Sequence, residues 1–249
     1  MLSGNHICCL SMILAVISCE KESAALEPEK IKDYYPLGIG KYVKYRLDST
    51  VYLSLGTKKE IHAYLVQDNI DAVITDNLGR PSYKVKRSIR SNSDTTKWKG
   101  LMSYLVTCDS KRLEVVQDNQ RYLQLMEPVS NGFSWQGNAF VNTGGIPEIQ
   151  YLAGWKYTYE NIRRPFTLNS VVYNETITVN QRADTSGKPS NKNFYFEINH
   201  SKEVYSKNIG LIFKDFLHES WQPPNASSTV GYYESNSYGI RLTIIDHNF

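Results

Sequence analysis

The sequence predicts an all-β fold: a single antiparallel sheet domain, built as a strongly curved meander or an open barrel or sandwich. Three observations carry this. From Tyr42 onward, apolar and polar residues alternate with a period of two, the pattern of half-buried strands. Clusters of turn-forming residues interrupt the alternation at short intervals. No amphipathic run of about 12 or more residues has helical spacing, so the crossover helices of a parallel sheet are missing.

The elements follow in order. In Tyr42–Leu53 the odd positions are Val43, Tyr45, Leu47, Ser49, Val51 and Leu53; the even ones include Lys44, Arg46, Asp48 and Thr50. Ile61, Ala63 and Leu65 then alternate with Glu60, His62 and Tyr64. Residues 76–81 (Asp-Asn-Leu-Gly-Arg-Pro) form a turn cluster. Tyr83, Val85 and Ile89 alternate with Lys84, Lys86, Ser88 and Arg90. Further runs lie at 101–107, 113–117 and 122–127, the last two joined by a hairpin loop at Asp118-Asn119-Gln120. Six strands with short polar links predict a meander. In the second half Trp155, Tyr157 and Tyr159 share a face, and 171–181 is rich in Val, Thr and Ile. Phe194, Phe196 and Ile198 alternate with Tyr195, Glu197 and Asn199. Runs at 203–206 and 211–219 flank a turn at Lys207-Asn208-Ile209-Gly210, and Ile240, Leu242 and Ile244 end the pattern. Segments 130–154, 182–193 and 222–238 read as long loops, with aromatics that either cap the sheet or serve a ligand. The competing reading is two small β-domains divided near residue 130.

Composition fits this fold. The 249 residues are 41% hydrophobic and 12% aromatic, which supports a core and excludes a collagen-like or disordered chain. The net charge of +3 gives no argument for a nucleic-acid partner.

The N-terminus carries the most specific motif. Residues 1–18 contain no Asp, Glu, Lys or Arg, and the apolar run from Ile7 to Ile17 has the length of a secretory core segment. It is too short to span a bilayer as a helix, which needs about 20 apolar residues. Val16-Ile17-Ser18-Cys19 resembles the lipobox of bacterial lipoproteins. The resemblance implies cleavage after residue 18, acylation of Cys19 and a membrane anchor. Cys8 and Cys9 then leave with the signal peptide, and Cys108 remains alone as a small buried side chain. Residues 19–33 read as a charged flexible tether, with Pro28 among eight charged residues. The folded domain is expected over 34–249. Cys19-Glu20-Lys21-Glu22 also resembles the export signal of surface-displayed lipoproteins in Bacteroidetes-type bacteria.

Two further motifs, Tyr34-Tyr35-Pro36-Leu37-Gly38 with the strand through Tyr45 and Trp135-Gln136-Gly137-Asn138, resemble small envelope lipoproteins of Bacteroidetes-type bacteria, a group without a characterised activity, and residues 205–212 resemble a late hairpin shared with broader envelope β-proteins. The resemblance implies an outer-membrane-anchored β-domain, facing the periplasm or the cell surface. Asp48-Ser49-Thr50 and Asp94-Thr95-Thr96 resemble the O-glycosylation acceptor motif of such bacteria.

Chemistry-bearing motifs are few. The sequence has no Gly-x-Ser-x-Gly elbow, His-Glu-x-x-His helix, Cys-x-x-Cys pair or P-loop. Gly38-Ile39-Gly40 reads as turn glycines. His62, His200, His218 and His247 fall on separate strands without ligand spacing. No cofactor and no metal site is expected. One constellation is a candidate binding face: Lys44 and Arg46 on the first strand with Lys84, Lys86 and Arg90 on the third, suited to phosphate groups of lipid or an acidic glycan. Tyrosine is abundant, 18 against 8 Phe, which suits sheet faces and glycan or protein contact. The expected function is a non-enzymatic envelope scaffold that binds a protein or glycan through its long loops. The alternatives are an apolar-ligand carrier with a half-open barrel, and a hydrolase with a carboxylate site.

Overall fold

The computed structural model describes Met1, residues 27–93 and residues 97–249. Cys19, the signal segment and the Asp94-Thr95-Thr96 motif lie outside the described residues. The strands are β1 Tyr42–Leu53, β2 Lys58–Thr75, β3 Pro81–Ser91, β4 Lys99–Cys108, β5 Arg112–Gln117, β6 Gln120–Met126 and β7 Ser134–Gln136. They continue as β8 Lys156–Leu168, β9 Val171–Gly187, β10 Phe196–Ser206, β11 Gly210–Gln222, β12 Tyr232–Tyr233 and β13 Tyr238–His247. Two short 3-10 helices, Ile31–Tyr34 and Pro147–Leu152, accompany them.

The hairpins follow from local chemistry. β1 and β2 pair without a bulge from Tyr42↔Asn69 to Leu53↔Lys58. The chain reverses through Ser54, Leu55 and Gly56, whose φ values are 52°, 56° and 82°. Gly56 is required twice over: its φ is left-handed, and a Cβ there would lie 2.0 Å from the Tyr233 carbonyl oxygen. The β5–β6 turn has φ 50° at Asp118 and 59° at Asn119, the left-handed pair that a two-residue hairpin needs and that Asp and Asn tolerate. Asn208, at φ 63°, plays the same part between β10 and β11.

All strands join one antiparallel sheet in the order β6-β5-β4-β3-β2-β1-β13-β11-β10-β9-β8-β7, with β12 on β11. The first six strands are the expected meander, and β7 to β11 form a second. β13 sits between β1 and β11 and welds the two. The two-domain alternative is therefore incorrect: the halves share a sheet, and Ile70 and Val85 pack in one core with Trp155 and Tyr159. The sheet curls until its edges nearly meet. Leu123 N–H of β6 donates to the Gly137 carbonyl at 2.8 Å, and Arg121 pairs with Phe140 across the gap. Trp135 Nε1 donates to the Leu123 carbonyl at 2.7 Å. Closure removes most of the exposed ladder edge.

The lumen is filled. Trp155, Tyr157 and Tyr159 are 1%, 3% and 0% exposed; Tyr157 and Tyr159 pack against Trp135, and Trp155 against Tyr151 and Phe216. A smaller cluster of Val43, Val66, Val204, Ile212, Leu242 and Ile244 lies alongside, with Phe166, Tyr173 and Phe213 against it. Spaces of about 30 and 120 Å³ reach into this core, and an open one of about 680 Å³ lies beside the strap against Ile31, Leu37, Tyr83 and Cys108. The lumen also holds an ion pair. Arg87 donates to both oxygens of Asp68 at 2.6 Å, and Tyr104 adds a third bond at 2.9 Å.

Several expectations change. Segment 182–193 is not all loop, because β9 runs on to Gly187 paired with β10. Arg182 and Asp184 bridge each other at 2.7 Å on its surface, and neither face is buried there, so no apolar alternation marked it. Segment 130–154 contains β7 and the second 3-10 helix, and 222–238 contains β12. Ile61 is 67% exposed: the β2 residues facing inward are Val66, Asp68 and Ile70, of the opposite parity.

The last part of the expected tether is also fixed. Ile31 and Tyr34 are 1% and 0% exposed. Glu29 accepts from Tyr34 Oη at 2.8 Å, pairs with Lys207 at 3.2 Å and is bonded by Arg163. Burial opposes the charge on Glu29, but hydrogen bonds from Tyr34, Arg163 and Lys207 outweigh it and hold the carboxyl below its ordinary value. Asn208 N–H donates to the Asp33 carbonyl at 2.6 Å. The apolar Ile31 and Tyr34 side chains secure this strap to the β10–β11 turn end of the barrel.

Candidate functional site

The five cations of the predicted basic face do share a face. In the register, Tyr42, Asn69 and Lys86 stand in one row, and Arg46, Leu65 and Arg90 in another. β2 separates the two strands, and acids lie among the cations. Lys44 pairs with Asp246 at 2.8 Å, Arg46 with Asp48 at 2.9 Å and Lys86 with Asp71 at 2.9 Å. Arg90 lies 4.8 Å over the Trp98 ring. Lys84 forms no ion pair among the described residues. The face is a mixed-charge surface with most of its positive field locally compensated. Asp48-Ser49-Thr50 lies within β1 on this ladder, between β2 and β13.

The long loops converge elsewhere, at the end of the barrel opposite the strap. β11 runs from Gly210 beside the strap to Gln222 at this rim, about 40 Å at ~3.3 Å per residue. An open cleft of about 750 Å³ lies here. Segment 130–154 supplies Pro147 and Glu148, segment 222–238 supplies Tyr232 to Ser237, and the β1–β2 hairpin supplies Tyr52, Leu55 and Gly56. The parts are locked together by backbone. Tyr233 N–H donates to the Gly56 carbonyl at 2.9 Å, and Glu234 N–H to the Ser220 carbonyl at 2.8 Å. Glu234 accepts from the Gln222 side-chain amide at 2.6 Å.

Below the cleft, strand alternation puts a polar seam into the lumen. Inward-facing Glu203 and Lys214 pair at 2.9 Å, and Asn199 bonds His218 Nδ1 at 2.8 Å. Glu197 holds Asn199 at 2.6 Å. Tyr151 stacks on the His218 ring at 3.6 Å and 7°, and its hydroxyl meets Tyr238 at 3.1 Å. Burial holds the His218 imidazole below its ordinary value despite the nearby Glu197 and Glu234 carboxylates. Asn236 adjoins the ring, yet His218 Nε2 makes no hydrogen bond of good geometry.

On the opposite face of β10 and β11 the same rim carries an aromatic cluster. Phe196 and Trp221 are register partners, their rings 6.2 Å apart at 13°. Tyr233 stands across both, at 81° and 67°. Tyr52 packs behind Tyr233 at 4.5 Å. Glu219, its side chain 5% exposed, accepts from Tyr52 and pairs with Lys59.

Sequence reasoning identified both loops but not their meeting, nor the part played by Tyr52 and Glu219. The tyrosine-rich 222–238 segment was the one local signal. Among the described residues no three His, Cys, Asp or Glu side chains are grouped to hold a metal ion, and no helix is long and apolar enough to cross a membrane.

No family model matches the chain, and no curated protein matches it. One solved structure it is similar to comes from Bacteroides fragilis, a protein considered to be exported and described as having a YmcC-like fold. The likeness covers 85% of this chain and 98% of that one, at 7% identity and a TM-score of 0.39. At that level it assigns neither activity nor location.

Proposed function

We propose that this chain is a lipid-anchored binding domain of the bacterial outer membrane that engages a glycan at its rim cleft. One observation carries the binding reading: two separate long loops and the β1–β2 hairpin deliver Tyr52, Tyr232, Tyr233, Glu148, Glu234 and Asn236 to one open cleft. Tyrosine faces beside carboxylate and amide groups are the chemistry that takes up sugar rings and their hydroxyls. The lipobox at Cys19 supports the anchor. The strap lies at the opposite pole of the barrel from the cleft, an arrangement compatible with an anchor on the strap side. A carrier that holds an acyl chain deep in the barrel is disfavoured, since the spaces there are about 30 and 120 Å³; an apolar ligand would have to use the open space of about 680 Å³ beside the strap, lined by Ile31, Tyr35, Leu37, Tyr83 and Cys108. Glycan hydrolysis is the second reading, favoured by Glu148 and Glu234 lining one cleft.

Two experiments test this. Metabolic labelling with a palmitate analogue is expected to mark the wild-type protein and to spare Cys19→Ser. The full Cys19→Ser chain is then titrated calorimetrically with neutral and acidic oligosaccharides. Binding is expected to weaken at least ~10-fold in Tyr232→Ala and in Glu234→Gln. Affinity lost instead with Lys84→Glu and Lys86→Glu, and unchanged by the cleft variants, would move the site to the basic face. Turnover abolished by Glu148→Gln or Glu234→Gln would favour the hydrolase.

A further inference from the structure

The side chain of Lys192 occupies an unusual position. Its Nζ lies 4.2 Å from the Phe196 ring centroid, 4.5 Å from Trp221 and 4.6 Å from Tyr233. The Phe196 and Trp221 rings are nearly parallel, 13° apart, and Tyr233 stands across both. Two aromatic rings and a phenol hydroxyl around one cation resemble the arrangement by which proteins hold alkylated ammonium groups. Lys192 itself comes from the exposed 188–195 loop, and its ammonium makes one hydrogen bond here, to the Tyr233 hydroxyl at 2.7 Å. The loop is held independently of that side chain. Trp221 Nε1 donates to the Lys192 carbonyl at 3.0 Å, and Asn191 N–H donates to the Lys188 carbonyl at 2.9 Å.

We propose that Phe196, Trp221 and Tyr233 form a cation cage for a quaternary ammonium group, and that Lys192 is the built-in plug that closes it. The charge environment fits. The buried Glu219 carboxylate favours a cation in the cage, while Lys59 opposes it, and both act on Lys192 in those directions. Desolvation is the largest influence on Lys192 and lowers its pKa. A primary ammonium loses several water contacts on entering a corner of hydrocarbon rings and regains one hydrogen bond. A tetraalkyl ammonium gives up no hydrogen bonds and places its methyl groups on the rings. An incoming quaternary group therefore displaces Lys192 at low cost, and the freed lysine swings to solvent on its own stem.

The inference stands apart from the glycan reading. It uses the outer face of β10 and β11, and only Tyr233 is common to both. The test is titration of the full Cys19→Ser chain with tetramethylammonium chloride, read by tryptophan fluorescence, with ammonium chloride at equal ionic strength as control. Lys192→Gln is expected to bind tetramethylammonium at least ~10-fold more tightly than the parent protein, because the competing cation is gone. Tyr233→Leu, placed in the Lys192→Gln background, is expected to abolish the response. Circular dichroism and the thermal midpoint verify that each variant is folded. Equal affinity with and without the lysine, or equal responses to ammonium and tetramethylammonium, would overturn the proposal. A folded Lys192→Gln chain that shows no binding would do the same. Any of these results leaves oligosaccharide binding by the cleft intact, and loss of oligosaccharide binding leaves this one intact.

Discussion

Replacing Arg87 by methionine isolates the energetics of the lumen. Asp68 is 8% exposed, and its carboxylate depends on two guanidinium bonds of 2.6 Å and one from Tyr104 at 2.9 Å. Methionine fills similar volume and removes both charge-assisted bonds, leaving a buried anion with one phenol. Breaking one side of a buried pair costs about 3–5 kcal/mol. At ~2–4 °C per kcal/mol for a domain of this length, the thermal midpoint drops by roughly 6–20 °C. The exposed Arg46–Asp48 bridge, 2.9 Å long on the outer face, provides the contrast: solvent screens it, and losing it should leave the urea midpoint almost unchanged. Urea unfolding followed by circular dichroism measures both. The decisive variant is the double change Arg87→Met with Asp68→Leu, which removes the stranded charge and should recover most of the lost stability. If Arg87→Met alone costs under about 1 kcal/mol, or the double variant is no better than the single, the lumen is more hydrated than its packing indicates and the reasoning fails.

Two further outcomes follow from buried titratable groups. Burial lowers the His218 pKa from its ordinary 6.5, so the unfolded chain takes up a proton there at higher pH than the folded one. Its contribution to stability is full above pH 6.5 and is lost as pH falls towards the folded value, so His218→Gln should flatten the urea midpoint between pH 7 and 5; an unchanged profile would contradict this. Burial, with the Asp109 and Glu127 carboxylates, pushes the Cys108 thiol up to about 11. Peptide-resolved iodoacetamide labelling at pH 7.5 should be ~100-fold slower at Cys108 in the folded protein than in urea, and similar rates would show an accessible thiolate.

What could be read in advance was local. β1 has the bounds that its alternation sets, and Asp118-Asn119 makes the predicted turn because both residues accept a left-handed backbone. Trp155, Tyr157 and Tyr159 share one buried face because every second residue of a strand must. The resemblance of Val16-Ile17-Ser18-Cys19 to a lipobox rests on sequence alone and lies outside the described residues. Ile61 shows the limit of this logic. Alternation states that Ile61, Ala63 and Leu65 are on one side, but the pairing of β2 with β1 decides that this side faces out. The polar end of β9 escaped detection because a strand paired with a neighbour but covered on neither face needs no apolar residues.

The candidate sites belonged to tertiary structure almost entirely. Loop 130–154 and loop 222–238 were each conspicuous, yet nothing within either specifies the other as its neighbour. They meet because β13, the last strand, inserts between β1 and β11 and curls two meanders into one barrel, bringing the β1–β2 hairpin to Tyr233. Lys192 enters its ring of aromatics for the same reason: register sets Phe196 opposite Trp221, and β12 adds Tyr233. The sequence by itself determined most strands and turns, since these depend on residues a few positions apart. Which faces are buried, which charges are neutralised and which loops share a cleft depend on pairings between residues up to two hundred positions apart, and only the folded chain decides them.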